Sequence, residues 1–284
     1  MTAFADDGTV NTGVMADMVG YLLDKGVDGF YIGGTTGEGI WLPLVERKRI
    51  AEVVLKTVDG RVPVIAHVGT QVIADAIALA RHAAEHGAAG VSSVLPPLFA
   101  SPQSLTAYYT TLAASVPETP FLSYLLNPNI DAVAFMKRLS HIPNLAGTKY
   151  TGPNMFELRQ IIDLGAGKWT VFSGMDEETV YADMMGVNGN IGSTLNFMPG
   201  AYKEIGQLVS SGDLAGAQAL QIRANKVTEA LINVGFPGAL KYVMSKLGFA
   251  GGNPVLPGFP LTNDEKAALD RALGETDYDE LVAM

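Results

Sequence analysis

Eight short apolar runs that alternate with segments of helical period predict an α/β fold, a (β/α)8 barrel followed by a C-terminal helical extension. Two further observations support that expectation. Several of the runs end in glycine, proline or polar residues, and after Pro199 strand signals stop while helical patterning continues. The barrel is expected at residues 1–197 and the helical extension at 198–284.

Taken in order, residues 2–4 are the first, clipped strand candidate, and a helix at 14–25 stops at Gly26. The strand at 29–32 leads into a glycine-rich turn. Pro43 then suits a first helical turn, and Ile50, Val53, Val54 and Val58 share one face of the helix after it. Strand 62–68, a helix at 74–86 stopped by Gly87, and strand 90–95 before Pro96-Pro97 repeat the plan. The fifth strand is 121–124. Asp131 reads as the cap of a helix reaching residue 140, and strands at 144–151, 169–173 and 188–193 complete the eight. Acidic residues at 176–178 suit the positive end of the helix that follows the seventh strand. Four helices are expected in the extension, at 201–210, 213–232, 237–247 and 264–273.

Composition narrows the class of partner. The 284 residues are 48% hydrophobic and carry 29 acidic against 19 basic side chains, a formal charge of −10 that disfavours nucleic acid and anionic membrane. A small metabolite fits better. There is no cysteine for a disulfide or a zinc–thiolate site, no apolar run of membrane-spanning length, and no signal-peptide pattern at the first residues. The expectation is a cytoplasmic enzyme.

Lys149 ends the sixth strand, an unusual place for a cation in a buried sheet. Burial disfavours the charged form of a lysine, whose ordinary pKa is ~10.4, and a freed amine attacks carbonyls. The competing reading is a strand-end lysine that reaches out to solvent. Tyr124 ends the neighbouring strand, where a phenol can shuttle protons or simply fill the core. The turn Gly33-Gly34-Thr35-Thr36-Gly37-Glu38-Gly39 offers hydroxyls and backbone N–H groups to a carboxylate. It lacks the lysine of a phosphate loop. Asp176 and Glu177 follow the seventh strand and Ser193 the eighth, so they either accept hydrogen bonds from a polyhydroxylated ligand or cap helices. His67 reads as a core histidine. His82 and His86 have the i, i+4 spacing of a metal pair, with no third ligand evident on a helix expected outside the barrel, so no metal is assigned.

Four motifs together resemble the Schiff-base-forming class I pyruvate aldolases, the family that includes dihydrodipicolinate synthase and N-acetylneuraminate lyase. They are Gly33-Gly34-Thr35-Thr36-Gly37-Glu38, Ala66-His67-Val68-Gly69, Gly147-Thr148-Lys149 and Gly189-Asn190-Ile191-Gly192-Ser193-Thr194. The resemblance spans residues 2–273 and implies a TIM barrel with a C-terminal helical domain, assembled as a homotetramer, a dimer of dimers. It implies an imine between Lys149 and the pyruvate moiety of a 2-keto acid substrate in place of any cofactor, with Tyr124 and Thr36 also catalytic. Thr35, Thr36 and Gly37 are then expected to hold the carboxylate. Thr151, Gly174, Asp176, Glu177, Ile191 and Ser193 are expected to meet the rest of the substrate.

Asn129 stands where the synthase branch carries the arginine that holds a dicarboxylic substrate, and Ser173-Gly174-Met175-Asp176-Glu177 looks like the lyase segment that receives a polyol tail. The resemblance therefore implies cleavage of N-acetylneuraminate to N-acetylmannosamine and pyruvate. Another 2-keto acid, or a relative that binds without turnover, is the alternative. Three departures bear on it: Leu125 and Leu126 after the tyrosine, Phe99 where a second tyrosine is usual, and Leu195 where the lyases carry tyrosine.

Overall fold

The computed structural model describes residues 1–96 and 101–284. Its sheet consists of β1 (Phe30–Ile32), β2 (Val64–His67), β3 (Gly90–Val94), β4 (Phe121–Leu126), β5 (Leu145–Thr151), β6 (Thr170–Ser173) and β7 (Gly189–Asn190). The strands pair in sequence order and every pair is parallel. Helices fill the connections, as parallel pairing requires. α1 (Thr12–Asp24) precedes β1, and the connecting helices are α2 (Leu44–Val58), α3 (Ile73–Glu85), α4 (Pro102–Ala114), α5 (Ala132–Leu139), α6 (Met155–Gly165) and α7 (Thr179–Met185). The chain finishes with α8 (Pro199–Ser211), α9 (Leu214–Asn233), α10 (Phe236–Lys246), α11 (Asn263–Gly274) and α12 (Tyr278–Ala283).

Among the described residues seven of the eight expected strands form the sheet, and the two differences lie at its ends. Residues 2–4 form no ladder strand: Phe4 makes an isolated antiparallel bridge to Val10. Their backbone groups are already engaged, since Phe4 N–H donates to Gly251 O at 3.0 Å and Ala3 O accepts from Asn11 N–H at 2.9 Å. The predicted run 188–193 shortens to the two residues of β7. Among the described residues the sheet is thus a curled seven-stranded one, with no ladder between β1 and β7. A cavity of 1490 Å³ has residues of both edges in its wall, among them Phe30, Ile32, Gly189 and Asn190, together with Leu195 and Tyr202 from the C-terminal side.

Two apolar layers hold the helices to the sheet. One packs β2–β6 against α3–α6 through side chains such as Val91, Phe121, Leu125, Phe135 and Ile161. The other joins α1 and α2 to α8–α12 through Val54, Phe197, Ile205, Val227, Leu240 and Leu281, so the C-terminal helices share a core with the first two. Local signals set the helix starts: Asp131 accepts from Ala134 N–H at 2.8 Å, and Thr262 with Glu265 forms a complete capping box on α11. The acidic run 176–178 departs from its expected role. It forms a 3-10 turn, and α7 begins only at Thr179.

One distortion decides where the catalytic candidate points. β4 and β5 slip register between Phe121 and Leu122, whose partners are Leu145 and Gly147, so Ala146 is bulged out. Gly147 sits at φ +145°, and a Cβ there would stand 1.9 Å from Thr170 O. After the bulge the strand alternates, with Lys149 against Tyr31 and Tyr124 and Tyr150 donating outward to Glu157 on α6 at 2.6 Å. Gly147→Ala is expected to destabilise the fold by about 3 kcal/mol or more, measured by urea denaturation.

Candidate active site

Lys149 is 8% exposed, and its Nζ lies 4.4 Å from the ring centroid of Tyr124 and 4.9 Å from that of Tyr31. The two rings meet edge to face at 6.0 Å, so the Lys149 Nζ is confined between them while water is largely excluded. An amine held this way is immobilised and presented to the cavity, of which Lys149 is a wall residue. Tyr31 was not recognisable in the sequence as part of the site. Its position two residues before the glycine-rich turn is the signal that could have found it.

The turn after β1 folds back on itself. A Cβ on Gly39 would fall 2.0 Å from Gly33 O, and both Gly33 (φ +67°) and Glu38 (φ +59°) are left-handed. Thr35 Oγ1 is 3.4 Å from the Tyr124 hydroxyl, and Thr36 Oγ1 is 2.5 Å from Ser193 Oγ. The structure thus brings Thr35, Thr36, Lys149, Tyr124 and Ser193 together, with Gly37 and Ile191 also on the cavity wall. Thr2 Oγ1 donates to Gly37 O at 2.6 Å and holds the far side of the turn.

Two buried assemblies support this turn. His67 Nε2 must accept, because Val94 N–H points at it at 3.0 Å, which leaves Nδ1–H to donate to Gly33 O at 2.9 Å. Burial, with Arg47 and Lys149 adding positive charge, pushes the His67 pKa down to about 3, while its bond to Gly33 O opposes that. The ring is therefore neutral and serves as a spacer. Arg47 donates to His67 O at 2.8 Å and to Gly69 O at 3.0 Å, so its guanidinium is committed to backbone.

The second assembly is an ion pair. Lys241 Nζ on α10 lies 3.1 Å from Glu38 Oε1, with side chains 5% and 8% exposed, and Glu38 Oε2 accepts from Val255 N–H at 2.6 Å. Lys241 also donates to Thr2 O and Gly251 O, so one ammonium ties the N-terminal segment, the turn and the C-terminal helices together. Sequence reading missed it, although a lysine within the apolar stretch of α10 is a visible signal. Lys241→Met is expected to cost about 3 kcal/mol by stranding the Glu38 carboxylate. Lys241→Met combined with Glu38→Gln should cost clearly less, and urea denaturation of the cycle measures the difference.

Polar groups without partners lie beside Lys149 and Gly192. Asp176 is 4% exposed; its Oδ2 accepts from Thr194 N–H at 2.7 Å and from Thr194 Oγ1 at 2.6 Å, whereas Oδ1 is buried with no partner. Burial pushes the Asp176 pKa up to about 6; the Thr194 hydrogen bonds pull it down, Glu177 adds to the rise, and Lys149 opposes it. Thr151 Oγ1 is likewise buried without a partner. Gly174 passes so close that a Cβ on it would sit 1.8 Å from Thr151 Oγ1 and 2.7 Å from Lys149 Cε, and a Cβ on Gly192 would sit 1.1 Å from Asp176 Oδ1. Glu177 is half-buried. Its backbone O accepts from Asn225 Nδ2 at 3.0 Å, but among the described residues no hydrogen bond or ion pair joins its carboxylate to another site residue.

Of the sequence departures, Leu125 is fully buried in the outer apolar layer and leaves Tyr124 facing Lys149. Leu195 lies on the cavity wall, and Phe99 falls outside the described residues. Asn129 is exposed, and no arginine lines the cavity among the described residues.

Comparison with known proteins identifies the family. The model of the Dihydrodipicolinate synthetase family matches residues 1–276. A protein of Rhizobium meliloti (strain 1021) named N-acetylneuraminate lyase is 32% identical over 279 residues, 96% of this chain and 92% of that protein. One of the same name from Salmonella typhimurium is 32% identical over 254 residues, covering 86% and 83%. Among solved structures, Proteus mirabilis N-acetylneuraminate lyase superposes with a TM-score of 0.93 at 32% identity, covering 98% of this chain and 96% of that one. The native enzyme of that name from Aliivibrio salmonicida gives 0.93 at 28%, covering 98% and 94%. With a family model matching nearly the whole chain and a lysine confined at the end of β5, this chain belongs to the Dihydrodipicolinate synthetase family.

Proposed function

We propose that the chain is a class I aldolase that cleaves N-acetylneuraminate to N-acetylmannosamine and pyruvate. The observation that carries this reading is the confinement of Lys149 Nζ between Tyr31 and Tyr124, whose hydroxyl lies 3.4 Å from that of Thr35. The neutral Lys149 amine adds to the C2 keto carbon of the open-chain sugar acid, and loss of water leaves an iminium. Its positive nitrogen takes up the electron pair of the C3–C4 bond as that bond breaks, giving an enamine and the aldehyde of N-acetylmannosamine. Tyr124 receives the C4 hydroxyl proton and returns a proton to C3, and hydrolysis of the imine then releases pyruvate. The carboxylate lies against Thr35, Thr36 and the backbone N–H groups around Gly37, which anchors the reacting end. No cofactor takes part in this scheme, because the imine supplies the electron sink.

The orphaned acceptors Asp176 Oδ1 and Thr151 Oγ1 suit the hydroxyls of the glycerol tail, and Gly174, Glu177, Ile191 and Ser193 are assigned to the same part of the substrate. A dicarboxylic product of the synthase kind is disfavoured, since Asn129 is exposed and Arg47 is committed to backbone. The division at residue 197 into barrel and helical extension, the homotetramer and the cytoplasmic location complete the proposal; no described helix is long and apolar enough to cross a membrane. Borohydride reduction in the presence of pyruvate tests the chemistry: a pyruvate-derived mass is expected on Lys149, and an unmodified lysine under conditions that label a control aldolase refutes it. Pyruvate release from N-acetylneuraminate, compared with shorter 2-keto acids, tests the substrate. Labelling without turnover of any of them would favour a binding relative.

A further inference from the structure

In the sequence, His82 and His86 lack a third ligand, and the fold supplies one. Glu52 on α2 reaches across to α3, where its Oε1 lies 2.9 Å from His82 Nε2. One ligand atom from each of Glu52, His82 and His86 lies within 4.8 Å of the other two. The two imidazoles, one helical turn apart, stack at a centroid distance of 4.1 Å. We propose that Glu52, His82 and His86 form a site for a zinc-type divalent cation that bridges α2 and α3 on the outside of the sheet.

The hydrogen bonds assign the donor atoms. His86 Nδ1 is 2.8 Å from His82 O, a pure acceptor, so Nδ1 carries the proton and Nε2 keeps a free lone pair. A ligating histidine whose other nitrogen donates to a backbone carbonyl is already oriented for a metal. At His82 the Nε2–H now donates to the Glu52 carboxylate. When the cation takes Nε2, the ring stays neutral by carrying its proton on Nδ1, and Glu52 trades that N–H for a bond to the metal, so no redox partner or net proton transfer is required. His82 Nδ1 is buried without a partner, and this uncompensated donor makes the site weaker than a structural zinc centre. Two imidazoles and one carboxylate select zinc, nickel or copper over magnesium or calcium, which prefer oxygen-only shells. The cation would pin the helix that follows the Gly33–Gly39 turn to its neighbour, a stabilising role separate from the aldolase chemistry.

Titration calorimetry of Zn2+ into the chelator-treated full chain tests the site. One saturable equivalent is expected for the wild type and none for Mg2+, with His86→Ala and Glu52→Gln each weakening zinc by more than tenfold. Excess zinc should raise the melting temperature of the wild type by about 5 °C. His86→Ala should not respond. His86 and Glu52 are exposed, so both variants should keep the wild-type fold by circular dichroism. Absence of saturable binding up to 100 times the protein concentration overturns the proposal, as does an equivalent of zinc that binds unchanged to either variant.

Discussion

Lys149→Met is expected to lower the rate of pyruvate release by more than about 10⁴-fold, because the side chain that replaces the amine has no nucleophile with which to form the imine. The same substitution is expected to leave the melting temperature unchanged or raised. Lys149 is 8% exposed between two rings, and a methionine of similar length removes a charge from that slot while keeping contact with the aromatic faces. Steady-state kinetics beside a thermal melt therefore separate lost chemistry from lost folding. A variant retaining a tenth of the activity would place the nucleophile elsewhere.

Asp176→Asn is expected to divide stability from specificity in the opposite way. The folded-state pKa is about 6 against an ordinary 3.8, so between those values the folded chain holds a proton that the unfolded chain has released. Stability from this group is then fully present below pH 3.8, falls as pH rises through the window to 6, and stays reduced above it. A shift of roughly 2 units corresponds to about 3 kcal/mol at neutral pH. Asparagine keeps an oxygen for the two Thr194 donors and carries no charge, so the variant is expected to be more stable than the wild type at pH 7 and no more stable at pH 4. Its kcat/KM for N-acetylneuraminate should fall by about 100-fold through loss of a charged acceptor for the polyol, while borohydride trapping of pyruvate on Lys149 continues. Urea denaturation at the two pH values, with kinetics, checks both halves. An unchanged kcat/KM would remove Asp176 from the substrate site.

Much of this site is legible in the chain because it is written locally. The alternation of β4 and β5, ended by breakers, places Tyr124 and Lys149 two residues before the ends of neighbouring strands, and the register pairs them directly. The glycines of the 33–39 turn likewise announce a backbone that side chains cannot follow. Local patterning misled where a residue's partner lies far off in sequence. Asp176 resembles a helix cap but accepts from Thr194, and residues 2–4 resemble a strand but are bonded to Gly251 and Asn11.

The sequence by itself determined the strand order, the position of the lysine and the composition of the turn, since these depend on hydrophobic period and backbone freedom within a few residues. Only the tertiary structure decided that Tyr31 flanks the amine, that Lys241 neutralises Glu38, that Glu52 approaches His82 and His86, and that no ladder joins β1 to β7 among the described residues. Those outcomes rest on burial and on charges meeting across elements distant in the chain. Their energies exist only after the helices have packed.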